Sequence, residues 1–254
     1  MTRAAHSAFL LLVGNELLTG KIVDTNGAHA TAGLRAAGIA LLGVEVVPDD
    51  IARIASALQR VRRELRPDVV ITSGGVGPTH DDMTMQAVAV ALGRPMVTDP
   101  LMEQGLRRHY GTRINDDLLT MARVPQGCEL VYPEPGAFPL FSLDGGRVWC
   151  LPGEPGFFTR KFDWLVAHLG SPGAFAARRV HCACDEGQIA ALMRRLQEAF
   201  PDVAIGSYPR YDATGAAWWT LVTLDSRDPA RADALLDELL RGLPEGCATK
   251  VERG

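Results

Sequence analysis

Short apolar runs alternate with amphipathic ones along the first part of the chain. Ala8 to Val13 is an unbroken apolar run of strand length. Asp24 to Ala37 has helical character, with Asp24, Thr25 and Asn26 as N-cap types and Gly38 as a stop. Ile39 to Val47 reads as a second strand. From Ile51 the apolar positions Ile54, Ala55, Leu58, Val61 and Leu65 recur at helical spacing, with Asp49 or Asp50 as cap and Pro67 beyond the end. A third strand over 68–72 runs through a glycine-rich turn into a helix over 85–92. Residues 99–119 read as helical and polar, and 123–157 as rich in proline and glycine, with one strand at 147–151. A helix from Phe157 to Leu169 closes this part. Strands alternating with helices predict a mostly parallel sheet covered on both faces. Ligands of such sheets bind beyond the carboxyl ends of the strands.

After Gly170-Ser171-Pro172-Gly173 the pattern changes. Strand-like 178–184, a helix over 186–199, strand-like 203–211 and 216–224, a helix over 229–241 and a strand over 247–252 follow in order. Asp212-Ala213-Thr214-Gly215 is a hairpin signal between the two middle strands. The order βαββαβ is the split βαβ, or ferredoxin-like, arrangement. Two domains are expected, an α/β domain over 1–172 and a small α+β domain over 173–254.

With 254 residues, 47% of them hydrophobic and 22% charged, the chain has an ordinary globular composition. A net charge of −4 argues against nucleic acid as a partner, which usually leaves a basic footprint. No apolar run approaches the roughly 20 residues that cross a bilayer, so no membrane role is expected. Met1 to Val13 reads as a first core strand and not as a signal peptide, which places the protein in the cytoplasm. The five cysteines are scattered without a C-x-x-C pair. They indicate neither a zinc site nor a disulfide framework, and they are expected to be free thiols. Cys182 and Cys184 would share one face of a strand.

The chemistry concentrates in Ser73-Gly74-Gly75-Val76-Gly77-Pro78-Thr79-His80-Asp81-Asp82-Met83-Thr84. A glycine turn between strand and helix gathers bare backbone N–H groups and the positive helix end, a site for phosphate. It is neither a Walker loop nor the dinucleotide fingerprint. Asp81 and Asp82 would repel an anion unless a divalent cation lay between them. The bland alternative is a tight turn whose acids answer the helix dipole. A second polar loop, Gly14-Asn15-Glu16-Leu17-Leu18-Thr19-Gly20, leaves the first strand, with Asp24 eight residues after Glu16. Glu16, Asp24 and Asp82 facing one cavity would supply hard oxygen ligands for Mg²⁺ or a similar ion. The alternative is a helix cap and a solvated glutamate. A third loop, Pro152-Gly153-Glu154-Pro155, could hold a flat ring or phosphate, or be a simple turn. His80 and His109 form no cluster with other histidines, and no Ser-His-Asp or Cys-His pairing stands out.

Taken in order, Gly14-Asn15-Glu16-Leu17-Leu18-Thr19-Gly20, Asp24-Thr25-Asn26, Gly74 to Thr84 and Leu151-Pro152-Gly153-Glu154-Pro155 resemble the molybdopterin-binding domain. More narrowly they resemble the competence/damage-inducible protein A family. Ala183-Cys184-Asp185-Glu186 and Gly206-Ser207-Tyr208-Pro209 are similar to the small second domain of that family and of the N-terminal half of eukaryotic FAD synthase. The resemblance implies a three-layer α/β domain and a homo-oligomer, dimer or trimer. The amidohydrolase domain of full-length family members has no counterpart before Gly254, so deamidation of nicotinamide mononucleotide is not carried over. Residues 134–140, Glu-Pro-Gly-Ala-Phe-Pro-Leu, look closer to the FAD synthase form, which leaves the substrate open.

The resulting expectation is a nucleotide pyrophosphatase that cleaves ADP-ribose, FAD or a similar dinucleotide. It would use a divalent cation (Mg²⁺, Co²⁺ or Ni²⁺), with K⁺ as an accessory ion. Asp82, Asp81 and Glu16 are the expected catalytic residues, and Asp82, Glu16 and Asp24 the metal ligands. Gly14, Asn15, Gly74, Gly75, Gly77, Pro78, Thr79, Thr84, Pro152, Gly153 and Glu154 are expected to contact the ligand. Two alternatives stand beside it: pterin-phosphate binding or adenylyl transfer in molybdenum-cofactor synthesis, and a non-catalytic ligand-binding scaffold.

Overall fold

The computed structural model describes residues 4–134, 137–212, 214–215 and 218–254. The chain divides into two compact units, Met1–Pro172 and Gly173–Gly254. Of the expectations above, Met1 to Arg3, Pro135 and Gly136, Ala213 of the hairpin turn, and Ala216 and Ala217 lie outside the described residues.

The first unit runs β1 (Ser7–Val13), α1 (Asn15–Leu18), α2 (Asn26–Ala36), β2 (Ala40–Val47), α3 (Ile51–Arg60), β3 (Val69–Ser73) and α4 (Thr84–Leu92). It continues with β4 (Met96–Thr98), α5 (Pro100–Tyr110), α6 (Asp116–Thr120), β5 (Arg123–Pro125), β6 (Glu129–Val131), β7 (Leu140–Leu143), β8 (Val148–Leu151) and α7 (Pro155–Leu169). Six strands form one sheet in the order β2-β1-β3-β8-β7-β6. The first three pairings are parallel and the last two antiparallel.

The apolar run of β1 is buried on both faces because successive side chains point opposite ways. Leu10 and Leu12 pack with Leu34 of α2 and Phe158, Phe162 and Leu165 of α7. Leu11 and Val13 pack on the other face with Ile54 of α3 and Ala87 of α4. The sheet is therefore the middle layer of three. Asp50, not Asp49, caps α3, accepting the Arg53 N–H at 2.8 Å.

Two sequence expectations are corrected here. The polar helix over 99–119 is broken, because Gly111 takes φ 55° and a 3-10 turn separates α5 from α6, which Asn115 caps afresh. The proline-rich stretch over 123–157 holds three strands besides β8. Each of the three spans only three or four residues, too short to show a period of two.

The second unit runs β9 (Ala176–Cys182), α8 (Glu186–Ala199), β10 (Ala204–Tyr211), β11 (Trp218–Ser226), α9 (Pro229–Gly242) and β12 (Ala248–Arg253). Its sheet has the order β10-β11-β9-β12 with every pairing antiparallel, as the βαββαβ pattern predicts. Alternate residues of β9 and β11, among them Val180, Val222 and Leu224, are buried against Leu196 of α8 and Leu235 and Leu239 of α9. A capping box starts α8, with the Asp185 carboxylate and the Gln188 amide satisfying each other's backbone N–H. The expectation of five free thiols does not hold. Cys184 and Cys247 are bonded, their Cα atoms 5.8 Å apart although 63 residues separate them in sequence.

Candidate functional site

The parallel register brings the carboxyl ends of β1, β3 and β8 to one edge, with Ser73 opposite Leu12 on one side and Leu151 on the other. Three loops leave there together, beginning at Gly14, Gly74 and Pro152. Their backbones touch. Gly74 donates its N–H to Leu151 O at 3.1 Å, and a Cβ at Gly74 would lie 2.2 Å from Val13 O. With φ of +101° as well, only glycine fits this position. A Cβ at Gly153 would meet Gly74 Cα at 3.1 Å. Gly75, at φ +68°, leaves no room for a Cβ beside Thr84 Oγ1.

A cavity of about 400 Å³ opens between these loops. Its charged lining is acidic, with the carboxylates of Glu16, Asp24, Asp49, Asp81 and Glu154, and among the described residues no lysine or arginine takes part. Leu17, Ile22 and Val23 form its apolar side. The N–H groups of Gly75, Val76 and Gly77 donate to no protein acceptor among the described residues, and of the three it is Gly75 that lines the cavity with the acids.

Residues 9–171 match the family model described as probable molybdopterin binding domain, and residues 174–252 match that of the FAD synthase middle domain. The chain belongs to the molybdopterin-binding-domain family. A protein of Aeropyrum pernix is 33% identical over 257 residues, an alignment that covers 94% of each chain. A CinA-like protein of Myxococcus xanthus is 40% identical over 162 residues, 62% of this chain but only 37% of its own length. Among solved structures, the CinA protein of unknown function from Thermoplasma acidophilum is 31% identical, with a TM-score of 0.58. It covers 65% of this chain and 98% of its own.

Within this family member, Gly14, Glu16, Asp24, Gly74, Gly75, Asp81, Gly153 and Glu154 line the cavity, whereas Asn15, Gly77, Pro78, Thr79, Asp82, Thr84 and Pro152 do not. Several of these have structural tasks instead. Thr84 is wholly buried, and its hydroxyl donates to Gly74 O at 2.7 Å, clamping the turn to the start of α4. Asp82 turns its carboxylate onto the turn itself, accepting the Thr79 N–H at 2.8 Å and sharing with Asp81 the single proton of the Thr79 hydroxyl, 2.6 Å from each. It also packs under Gly77, where a Cβ would meet it. The expected trio of Glu16, Asp24 and Asp82 is therefore not gathered around one point. Among the described residues no three carboxylates come within 4.8 Å of one another.

Asp81 and Asp24 are better placed. The Thr79 hydroxyl, 2.6 Å from Asp81, and Asp81's own backbone N–H hold the Asp81 carboxyl below the usual carboxylate range. Asp24 accepts the Gly27 N–H at 2.8 Å at the start of α2, while its carboxylate borders the cavity. Glu154 caps α7 through both oxygens, to the N–H groups of Phe157 at 2.6 Å and Gly156 at 3.0 Å. Those bonds hold its carboxyl low.

Two residues of the site were not singled out from sequence. Asp49 lines the cavity and accepts the Asn15 N–H at 2.8 Å, fixing the first loop. Asn26 is 92% buried and ties the loops together, donating to Ser73 Oγ at 3.0 Å and Gly153 O at 2.8 Å. Its Oδ1 has no partner among the described residues. The signal for Asn26 was its place in Asp24-Thr25-Asn26; for Asp49 it was only a choice between two caps.

Proposed function

We propose that this chain is a divalent-cation-dependent pyrophosphatase for ADP-ribose, FAD or a related dinucleotide. The observation that carries the reading is a cavity that, among the described residues, is lined by five carboxylates and no basic side chain, with the free Gly75 N–H beside them. Donors of that kind attract a phosphate, and the acids repel it unless a cation intervenes. Hard carboxylate oxygens suit Mg²⁺ and similar ions, which commonly take one or two carboxylates and complete their shell with substrate phosphates and water. Asp24 and Asp81, which border the cavity, are the side chains that would hold it.

When bound, such a cation neutralises phosphate charge and lowers the pKa of a coordinated water. The free N–H of Gly75, which lines the cavity, would orient the pyrophosphate. Asp81, whose carboxyl Thr79 holds low, would serve as a ligand and be a poor base for the same reason. Glu16, whose carboxylate accepts no hydrogen bond among the described residues, is free to take the proton of the attacking water. Asn26 Oδ1 offers a buried acceptor for an N–H or O–H of the ligand. Leu17, Ile22 and Val23 give a flat ring an apolar wall.

Incubation of the purified protein with ADP-ribose or FAD and Mg²⁺, Co²⁺ or Ni²⁺ tests this, with release of AMP as the expected result. No AMP with any of these ions would reject it. The family match over 9–171 favours a second reading, in which the same cavity binds a pterin phosphate for cofactor synthesis. Tight molybdopterin binding without hydrolysis would select that reading.

A further inference from the structure

Three cysteines of the second unit form a cluster that the proposed nucleotide chemistry does not use. Cys182 ends β9, Cys184 follows two residues later, and Cys247 immediately precedes β12. β9 and β12 are paired neighbours, and Ala183 donates its N–H to Cys247 O at 2.7 Å. A hydrogen-bonded frame thus brings the three sulfurs within 4.8 Å of one another. All three residues are buried, with exposures of 0%, 5% and 4%. They belong to an apolar cluster with Ile189, Leu192, Leu236 and Leu239. Cys184 and Cys247 are joined, and Cys182 is a free thiol beside them.

We propose that the reduced Cys182, Cys184 and Cys247 form a binding site for a soft d¹⁰ metal ion, matched best to Cu(I), and that the Cys184–Cys247 disulfide is its closed form. Thiolate sulfurs are soft donors and select ions of this kind. Structural zinc takes four protein ligands in a tetrahedron, and among the described residues no histidine, carboxylate or further cysteine joins these three. His181 points to the opposite face of β9, and the Asp185 carboxylate is occupied in capping α8. The residues clustered with the three sulfurs are apolar and add no ligand of their own. A three-coordinate sulfur site is what remains, and Cu(I) accepts it.

Opening the site breaks the Cys184–Cys247 bond to two thiols. The two electrons and two protons come from a dithiol, itself oxidised to a disulfide. Each sulfur that ligates as a thiolate then releases one proton on binding.

The test uses the whole chain, reduced with a dithiol, freed of it without oxygen, and titrated with Cu(I)–acetonitrile against a chromophoric Cu(I) chelator. The reduced protein should withhold one equivalent of Cu(I) per chain, whereas the oxidised protein should withhold none. Cys182→Ser should weaken retention by more than about tenfold, while Cys128→Ser should leave it unchanged. Since Cys182→Ser could misfold, the comparison of reduced with oxidised wild type stands by itself. Equal retention by both forms would overturn the proposal. So would no retention by protein in which all five thiols are counted as free. If Zn(II) is held against a chelator and Cu(I) is not, the assignment of the ion fails.

Discussion

The Thr79 hydroxyl lies 2.6 Å from the Asp81 carboxylate, and the same hydroxyl lies 2.6 Å from Asp82. One residue thus holds the acid that borders the cavity and the acid that shapes the turn. Removing the hydroxyl should separate the two tasks, because Asp82 keeps the Thr79 N–H.

Thr79→Val should raise the pKa of Asp81, since the Thr79 bond is the largest influence holding it down. A depressed carboxyl stays charged until the pH falls through its folded-state value. In Thr79→Val the acid limb of metal-dependent ligand binding should therefore move to higher pH. A binding titration over roughly pH 3 to 6 checks this. An unmoved limb would remove Asp81 from the cation site.

Gly74→Ala should destabilise the first unit by about 2–3 kcal/mol, through φ strain and the contact with Val13 O. Urea unfolding measures it. A loss below about 0.5 kcal/mol would mean that the three loops are less tightly joined than described.

Chelation should abolish ligand binding, and added divalent cation should restore it. Asp24→Asn should raise the cation concentration needed on the order of tenfold. Asp82→Asn should instead lower thermal stability with little change in the cation requirement. The reverse ranking would return Asp82 to the metal.

Lys161 is buried beneath the stretch that carries Phe138, whose carbonyl accepts from its Nζ. Burial pulls its pKa below the ordinary lysine value. Below that folded-state value both states are charged, and the fold bears the cost of a buried cation. As the pH rises from it toward the unfolded value near 10.4, the folded state sheds its proton first and stability increases. Wild type should therefore gain on Lys161→Met as the pH is raised through the alkaline range, read from urea midpoints. A gap independent of pH would contradict the assignment.

The sheet's strand-and-helix alternation was legible because β1 is an unbroken apolar run, β3 a short one between Asp68 and the glycine turn, and α3 repeats its apolar positions cleanly. The turn at 73–84 was legible because its glycines and acids are contiguous. What escaped was long-range. Asp49 meets Asn15 across 34 residues, Asn26 meets Gly153 across 127, and Cys184 meets Cys247 across 63. Spacing does not report such contacts. The roles of Asp82 and Thr84 escaped for a different reason: their residue types suit both a ligand and a turn, and only the direction of the side chain decides.

Gly74 gives its N–H to β8 and rests against the carbonyl that ends β1. The ligand loop is in this sense part of the hydrogen-bonded sheet. A molecule that tightens the loop must also hold the three central strands together, so occupancy should register as a higher melting temperature of the first unit. Thermal-shift screening of phosphorylated metabolites, with and without divalent cation, can therefore search for the ligand before any reaction is known.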